Sequence, residues 1–167
     1  MKHLLSIEAM DATSIETILE NAGVMKAQRG NSQHQPLAGQ TWAMIFTKSS
    51  TRTRVSFEVG MQQLGGRVVV LPDSETHLGR GETIADTARV LSRYVDVIMI
   101  RTDASAKLLE LASHATVPVI NGLSDFEHPC QILADLQTVI ERKGRLAGLK
   151  ACFIGDGNNV AHSWMFG

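Results

Sequence analysis

The feature that most constrains this chain is an alternation. From Thr41 onward, short apolar runs are separated by longer stretches whose apolar residues recur at helical spacing. The runs Thr41–Phe46 (TWAMIF), Arg67–Leu71, Val95–Ile100 and Val117–Ile120 are predicted strands. The intervening stretches Thr51–Leu64, Thr83–Tyr94 and Ala104–His114 are predicted helices. One stripe carries Phe57, Met61 and Leu64, and another carries Ile84, Ala88 and Leu91. Pro129 opens a further helix, where its missing N–H costs nothing. Ile132, Leu133, Leu136, Val139 and Ile140 give that helix a wide apolar face. Ahead of the series, Ile15, Ile18, Leu19, Ala22 and Met25 predict a helix following Thr13, with Thr13 and Glu16 at capping-box spacing. Short strands alternating with amphipathic helices build an α/β domain around a parallel sheet.

Composition narrows the function. Apolar residues make up 44% of the 167 positions and charged residues 20%, which excludes a disordered chain. The net charge of −1 gives no general electrostatic footprint for nucleic acid. Two cysteines, Cys130 and Cys152, are too few for a disulfide scaffold, so a reduced, cytoplasmic setting is expected. No apolar stretch is long enough for a membrane span, and the first residues lack the apolar region of a signal peptide. Neither a membrane nor a nucleic acid is an expected partner.

In open parallel sheets, ligands sit beyond the carboxyl ends of the strands. Three polar clusters fall at such ends. Lys48-Ser-Ser-Thr-Arg-Thr-Arg54 lies between a predicted strand and helix. Free N–H groups at a helix start form an anion site, to which Ser50, Thr51 and Thr53 add hydroxyls and Arg52 a planar fork. An ordinary cap followed by solvated arginines is the alternative. Arg101 directly follows the third predicted strand, as either a ligand group or a structural charge. His128-Pro129-Cys130-Gln131 places an imidazole at a helix start, where a lowered pKa would make it a neutral donor to a carbonyl oxygen. Gln131 offers an amide donor and acceptor. Cys130 is as readily a packed thiol as a nucleophile. The loop Asp73–Glu82, with His77 and Arg80, reads as a lid or as a solvated surface. Gly155-Asp-Gly is too short for a dinucleotide fingerprint. His3, His34 and His114 lack metal-ligand spacing, so no metal site is assigned.

The segments FTKSSTRTRVSFEVGMQQLGG, LGRGETIADTARVLSRYVDVIMIRT and HPCQILADLQTV, in that order, closely resemble the aspartate/ornithine carbamoyltransferase family across essentially the whole chain. HPCQ, DTARVLSRY, GDGNNVAHS and a lysine-free Asp73–Glu82 loop are most similar to the ornithine-using members. The resemblance implies a three-layer αβα carbamoyl-phosphate-binding domain. It also implies transfer of the carbamoyl group to the δ-amine of L-ornithine, giving citrulline and phosphate in arginine biosynthesis, with no cofactor. By the same resemblance, Ser50, Thr51, Arg52 and Thr53 hold the phosphate, and Arg101 bridges phosphate and carbamoyl oxygen. His128 donates to that oxygen, Gln131 holds the carbamoyl amino group, and Asn159 meets the α-amino acid part of ornithine. His77 stands where many members have glutamine, and its loop is expected to reach a neighbouring subunit's site in a homotrimer.

The pattern restarts near residue 149, where Ala151–Ile154 predicts a new strand followed by GDGNN. Residues 1–148 are therefore expected to form the carbamoyl-phosphate domain, and 149–167 the opening of an ornithine domain. The segments that the family's second domain uses for ornithine are absent from these 167 residues. Binding of carbamoyl phosphate without turnover is expected of them. The alternatives are an aspartate- or other amine-using transferase, and a non-catalytic phosphate-binding or trimerising module.

Overall fold

A computed structural model describes residues 2–30, 33–72 and 81–167. Four strands, β1 (Thr41–Phe46), β2 (Arg67–Pro72), β3 (Val97–Arg101) and β4 (Val119–Leu123), form one sheet in the order β2-β1-β3-β4, with every pairing parallel. The helices are α1 (Ala12–Ala27), α2 (Thr51–Gln63), α3 (Ile84–Leu91), α4 (Ser105–His114), α5 (Pro129–Lys143) and α6 (Asn159–Phe166). The central strands are buried on both sides. Ala43, Ile45, Ile98 and Ile100 pack with Ala88 of α3 and with Leu108 and Leu111 of α4. Met44, Phe46 and Met99 point the other way, toward Phe57 of α2. Edge strand β2 instead exposes Arg67 and Val69 and half-buries its other residues, as expected where one face meets water. A third cluster joins Leu19 of α1 to Ile132, Leu133 and Leu136 of α5, and takes in Trp164 and Phe166 of α6. The predicted α/β domain around a parallel sheet is thus observed.

Local chemistry explains the ends. α1 begins two residues earlier than the capping-box spacing implies. Asp11, not Thr13, is its cap, accepting a hydrogen bond from the Ser14 amide at 2.6 Å. A carboxylate competes well for that position because it meets both the orphan N–H groups and the positive end of the helix dipole. α5 stops at Gly144, whose φ of 72° is the left-handed conformation glycine adopts without strain. The predicted strand at Ala151–Ile154 does not form: residues 147–158 are all exposed and pair with no strand among the described residues. An apolar run becomes a strand only when a neighbour takes up its backbone hydrogen bonds.

The chain moves from β1 outward to β2 and then crosses back to β3 on the other side of β1. The topological switch point therefore lies between the ends of β1 and β3, where Phe46 pairs with Arg101. At that same end the β3–β4 register shifts, so that Arg101 faces Leu123 and Gly122 is passed over. A Cβ on Gly122 would stand 2.5 Å from Met99 Sδ and 3.3 Å from the Ile100 carbonyl oxygen, in a fully buried place. Gly122→Ala is expected to lower stability by about 1–3 kcal/mol through overpacking. The measurement is a urea midpoint at unchanged m. An unaltered midpoint would show that Met99 yields without cost.

Candidate active site

The switch point opens into a cleft of about 630 Å³. Ser50, Arg52, Thr53, Arg101, His128 and Gln131 all line it. They come from the β1–α2 junction, the end of β3 and the start of α5, so the three polar clusters of the sequence meet in one place.

The β1–α2 junction supplies the helix start. Ser50 is extended and caps α2, accepting the Thr53 amide hydrogen at 3.3 Å. The first turn of α2 holds no acidic residue, so the positive end of its dipole is not neutralised within the helix. Thr53 Oγ1 accepts two hydrogen bonds, one from Ser50 Oγ at 3.1 Å and one from Arg101 Nη1 at 3.2 Å. Both lone pairs of a hydroxyl are then used, and its hydrogen is what remains to offer a ligand.

The electrostatics of the cleft favour an anion. Burial, and then the charge of Arg52, lower the pKa of Arg101 from the usual arginine value, yet a guanidinium remains a cation. Neither arginine forms an ion pair with a carboxylate among the described residues, and Arg101 Nε is buried with no partner. Two unneutralised guanidiniums beside a helix N-terminus hold donors and positive charge in the arrangement that matches phosphate.

His128 is the neutral element. Burial, followed by the Arg101 charge, pushes its pKa down to about 4, against a smaller opposite effect of Asp135. Its Nδ1 is buried with no partner. A neutral imidazole can donate to a carbonyl oxygen without adding a third positive charge to the cleft. Because the native pKa is below the unfolded one, the unfolded chain binds the proton better between about pH 4 and 6.5. Stability is expected to be full above about pH 6.5 and to decline as the pH falls toward 4. His3 is shifted in the same direction, so the check is the difference between wild type and His128→Asn over that window. Identical acid profiles for the two proteins would refute it.

On α5, Gln131 Nε2 donates to Asp135 Oδ1 at 2.8 Å, which leaves the amide oxygen as the group to accept from a ligand. Asp135 also lines the cleft and was not singled out in the sequence, although its i,i+4 spacing from Gln131 was visible there. The Cys130 thiol donates to the Asn121 carbonyl at 3.4 Å, and burial pushes its pKa up to about 12. That is a packed thiol and not an activated nucleophile.

Two predicted residues stand apart. Thr51 is exposed at the first position of α2 and does not line the cleft. Asn159, at the start of α6, also does not line it; its Nδ2 donates to the Ser124 carbonyl oxygen at 2.8 Å. His77 and Arg80 lie outside the described residues.

Residues 2–141 match the family described as aspartate/ornithine carbamoyltransferase, carbamoyl-P binding domain. The chain is 56% identical over 167 residues to an ornithine carbamoyltransferase of Rhizobium meliloti, covering 99% of the chain and 55% of that relative. The solved ornithine carbamoyltransferase of Pyrococcus furiosus superposes with a TM-score of 0.96 at 55% identity, over 99% of this chain and 53% of that one. That of Burkholderia thailandensis gives 0.94 at 44% identity, over 99% and 58%. The chain thus spans about half the length of the relatives it matches.

Proposed function

Because the chain belongs to the aspartate/ornithine carbamoyltransferase family, we propose that its cleft binds carbamoyl phosphate and that the whole protein carbamoylates the δ-amine of L-ornithine. Residues 1–148 are the carbamoyl-phosphate domain and 149–167 open the ornithine domain. The whole protein is a homotrimer with no cofactor. The observation that carries the reading is the pair of unneutralised guanidiniums, Arg52 and Arg101, beside the N-terminus of α2.

In this reading the phosphate sits on the first turn of α2, held by its free backbone N–H groups, that of Thr51 among them, by the fork of Arg52 and by the Thr53 hydroxyl, which Ser50 places. Arg101 spans phosphate and carbamoyl oxygen, and neutral His128 donates to that oxygen. The Gln131 amide oxygen, oriented by Asp135, accepts from the carbamoyl amino group. The neutral δ-amine attacks the carbamoyl carbon. The carbon–nitrogen bond forms, the carbon–oxygen bond to phosphate breaks, and the surplus amine proton departs with phosphate. Charge grows on the carbonyl oxygen in between, where Thr53, Arg101 and His128 meet it; one such donor is worth about 3 kcal/mol. With Nδ2 of Asn159 given to Ser124, its amide oxygen is the atom an α-ammonium group would meet.

Titration calorimetry with carbamoyl phosphate tests the binding half directly. Wild type is expected to give saturable heat, and Arg52→Lys to bind at least ~10-fold more weakly, since lysine keeps the charge but not the planar fork. A tenfold loss is about 1.4 kcal/mol. No heat with wild type, or equal affinity in the variant, would overturn the assignment.

A further inference from the structure

The imidazole of His128 has no hydrogen-bond partner at Nδ1, so no bond to that nitrogen aims it; its backbone must. His128 is the residue before Pro129 and caps α5 without a side-chain hydrogen bond, at φ −132° and ψ 67°. Its own amide hydrogen goes to Ser163 Oγ of α6 at 2.8 Å, and Ser163 is fully buried.

That bond is one of three. Asn159, His162 and Ser163 stand at i, i+3 and i+4, on one face of α6. Asn159 Nδ2 donates to the Ser124 carbonyl oxygen at 2.8 Å, and His162 Nδ1 lies 3.1 Å from that of Phe126. A carbonyl only accepts, so Nδ1 of His162 carries the hydrogen. The face therefore engages the backbone of the 124–128 loop at every second residue. The loop is fastened from elsewhere too. The Ser124 amide donates to the Glu127 carbonyl oxygen, the Glu127 amide donates to Ser124 Oγ, and the buried Glu127 carboxylate accepts from the Ser6 hydroxyl and the Ile7 amide. Of all these contacts, only the one from Ser163 reaches His128 itself.

We propose that Ser163 is a positioning residue for His128: by accepting the His128 amide hydrogen it fixes the backbone from which the imidazole enters the cleft. The idea rests on the proposed function only in taking the carbamoyl oxygen as the imidazole's target. It assigns to α6, which lies beyond the matched family segment 2–141, control over the aim of a cleft residue inside that segment. Other contacts favour docking of α6. Asn158 caps it through the amides of Val160 and Ala161, and Val160, Trp164 and Phe166 pack on the α1–α5 cluster. Movement of α6 off the loop would break the three side-chain bonds and release the His128 amide.

Proton NMR of the His128 ring in the 167-residue chain reads this directly, through Ser163→Ala and Ser163→Thr. In wild type the ring is expected to titrate near 4, lowered by burial and then by Arg101 against the smaller opposing effect of Asp135. Ser163→Ala is expected to raise the midpoint by about one pH unit toward the free value, as the loosened ring gains water. Carbamoyl phosphate affinity is expected to fall about 10-fold with it. Ser163→Thr keeps the hydroxyl and is expected to restore both. Loss of thermal stability in Ser163→Ala with an unmoved midpoint and affinity would mark a merely structural serine and overturn the proposal. Should Ser163→Ala fail to fold, amide exchange of wild type decides: the His128 N–H is expected to exchange no faster than the backbone of α6, and exchange at the rate of an open amide overturns the proposal. If wild type binds no carbamoyl phosphate, the proposed function falls, while the titration and exchange arms still decide the role of Ser163.

Discussion

Arg101→Met is expected to weaken carbamoyl phosphate binding by at least ~100-fold, about 2.7 kcal/mol. The magnitude follows from where the guanidinium sits. It is half-buried at the end of β3, its Nε has no partner, and Nη1 is placed by Thr53. The side chain lines the cleft, where water competes less for its donors than on an open surface, and charge-assisted hydrogen bonds have roughly twice the strength of neutral ones. Folding without a bound anion makes the opposite demand. Arg101 is desolvated and repelled by Arg52, with no carboxylate in compensation among the described residues. Methionine fills similar space without charge. Stability of Arg101→Met is therefore expected to equal or exceed that of wild type while binding is lost, the trade-off of a site built for a ligand's charge. Calorimetry and a urea midpoint on the same preparation check both halves. Retained affinity would remove Arg101 from the ligand shell. Joint loss of stability and binding would make it a structural residue instead.

The 167 residues on their own are expected to form no citrulline above background, although they bind carbamoyl phosphate. The donors assigned to phosphate and carbamoyl oxygen all precede residue 132. For ornithine, only Asn159 is assigned, and its Nδ2 is already committed to Ser124. An amine without a fixed position loses the advantage of pre-oriented reactants, roughly 7–11 kcal/mol in favourable cases. Each 1.36 kcal/mol is tenfold in rate, so losing half of it already costs between two and four powers of ten, roughly. The assay is citrulline production with ornithine and carbamoyl phosphate, corrected by Arg52→Ala to expose contaminating host enzyme. Corrected activity near that of a full-length relative would refute this placement of the ornithine site.

Much of the scaffold was legible because its signals are local. Strands β1 to β4 appear within a few residues of their predicted spans, since four apolar runs bounded by polar turns leave the backbone few other ways to be buried. Ser50, at the boundary of a strand and a helical stripe, forms a cap for the same reason. Two local signals misled. The Thr13–Glu16 spacing lost to Asp11, a better cap two residues earlier. The Ala151–Ile154 run has strand composition, but strand structure belongs to a ladder and not to a segment.

By itself, the sequence determined the alternation of elements, the chemical types gathered at the strand ends, and a motif series specific enough to indicate the family. Tertiary structure decided which of those groups meet. Ser50, Arg52, Thr53, Arg101, His128 and Gln131 share one cleft because the strand order reverses between β1 and β3, and nothing in a one-dimensional pattern specifies strand order. The exclusion of Thr51 from that cleft, the unpaired buried nitrogens of Arg101 and His128, and the low pKa of the imidazole arise from burial, which depends on what packs alongside. Gly122 and Ser163 belong to the same class. Neither stands out in the sequence; their roles follow from Met99 packed against the first and the amide of His128, 35 residues away in sequence, against the second. Contacts between distant segments set those roles, and they exist only once the sheet has brought the segments together.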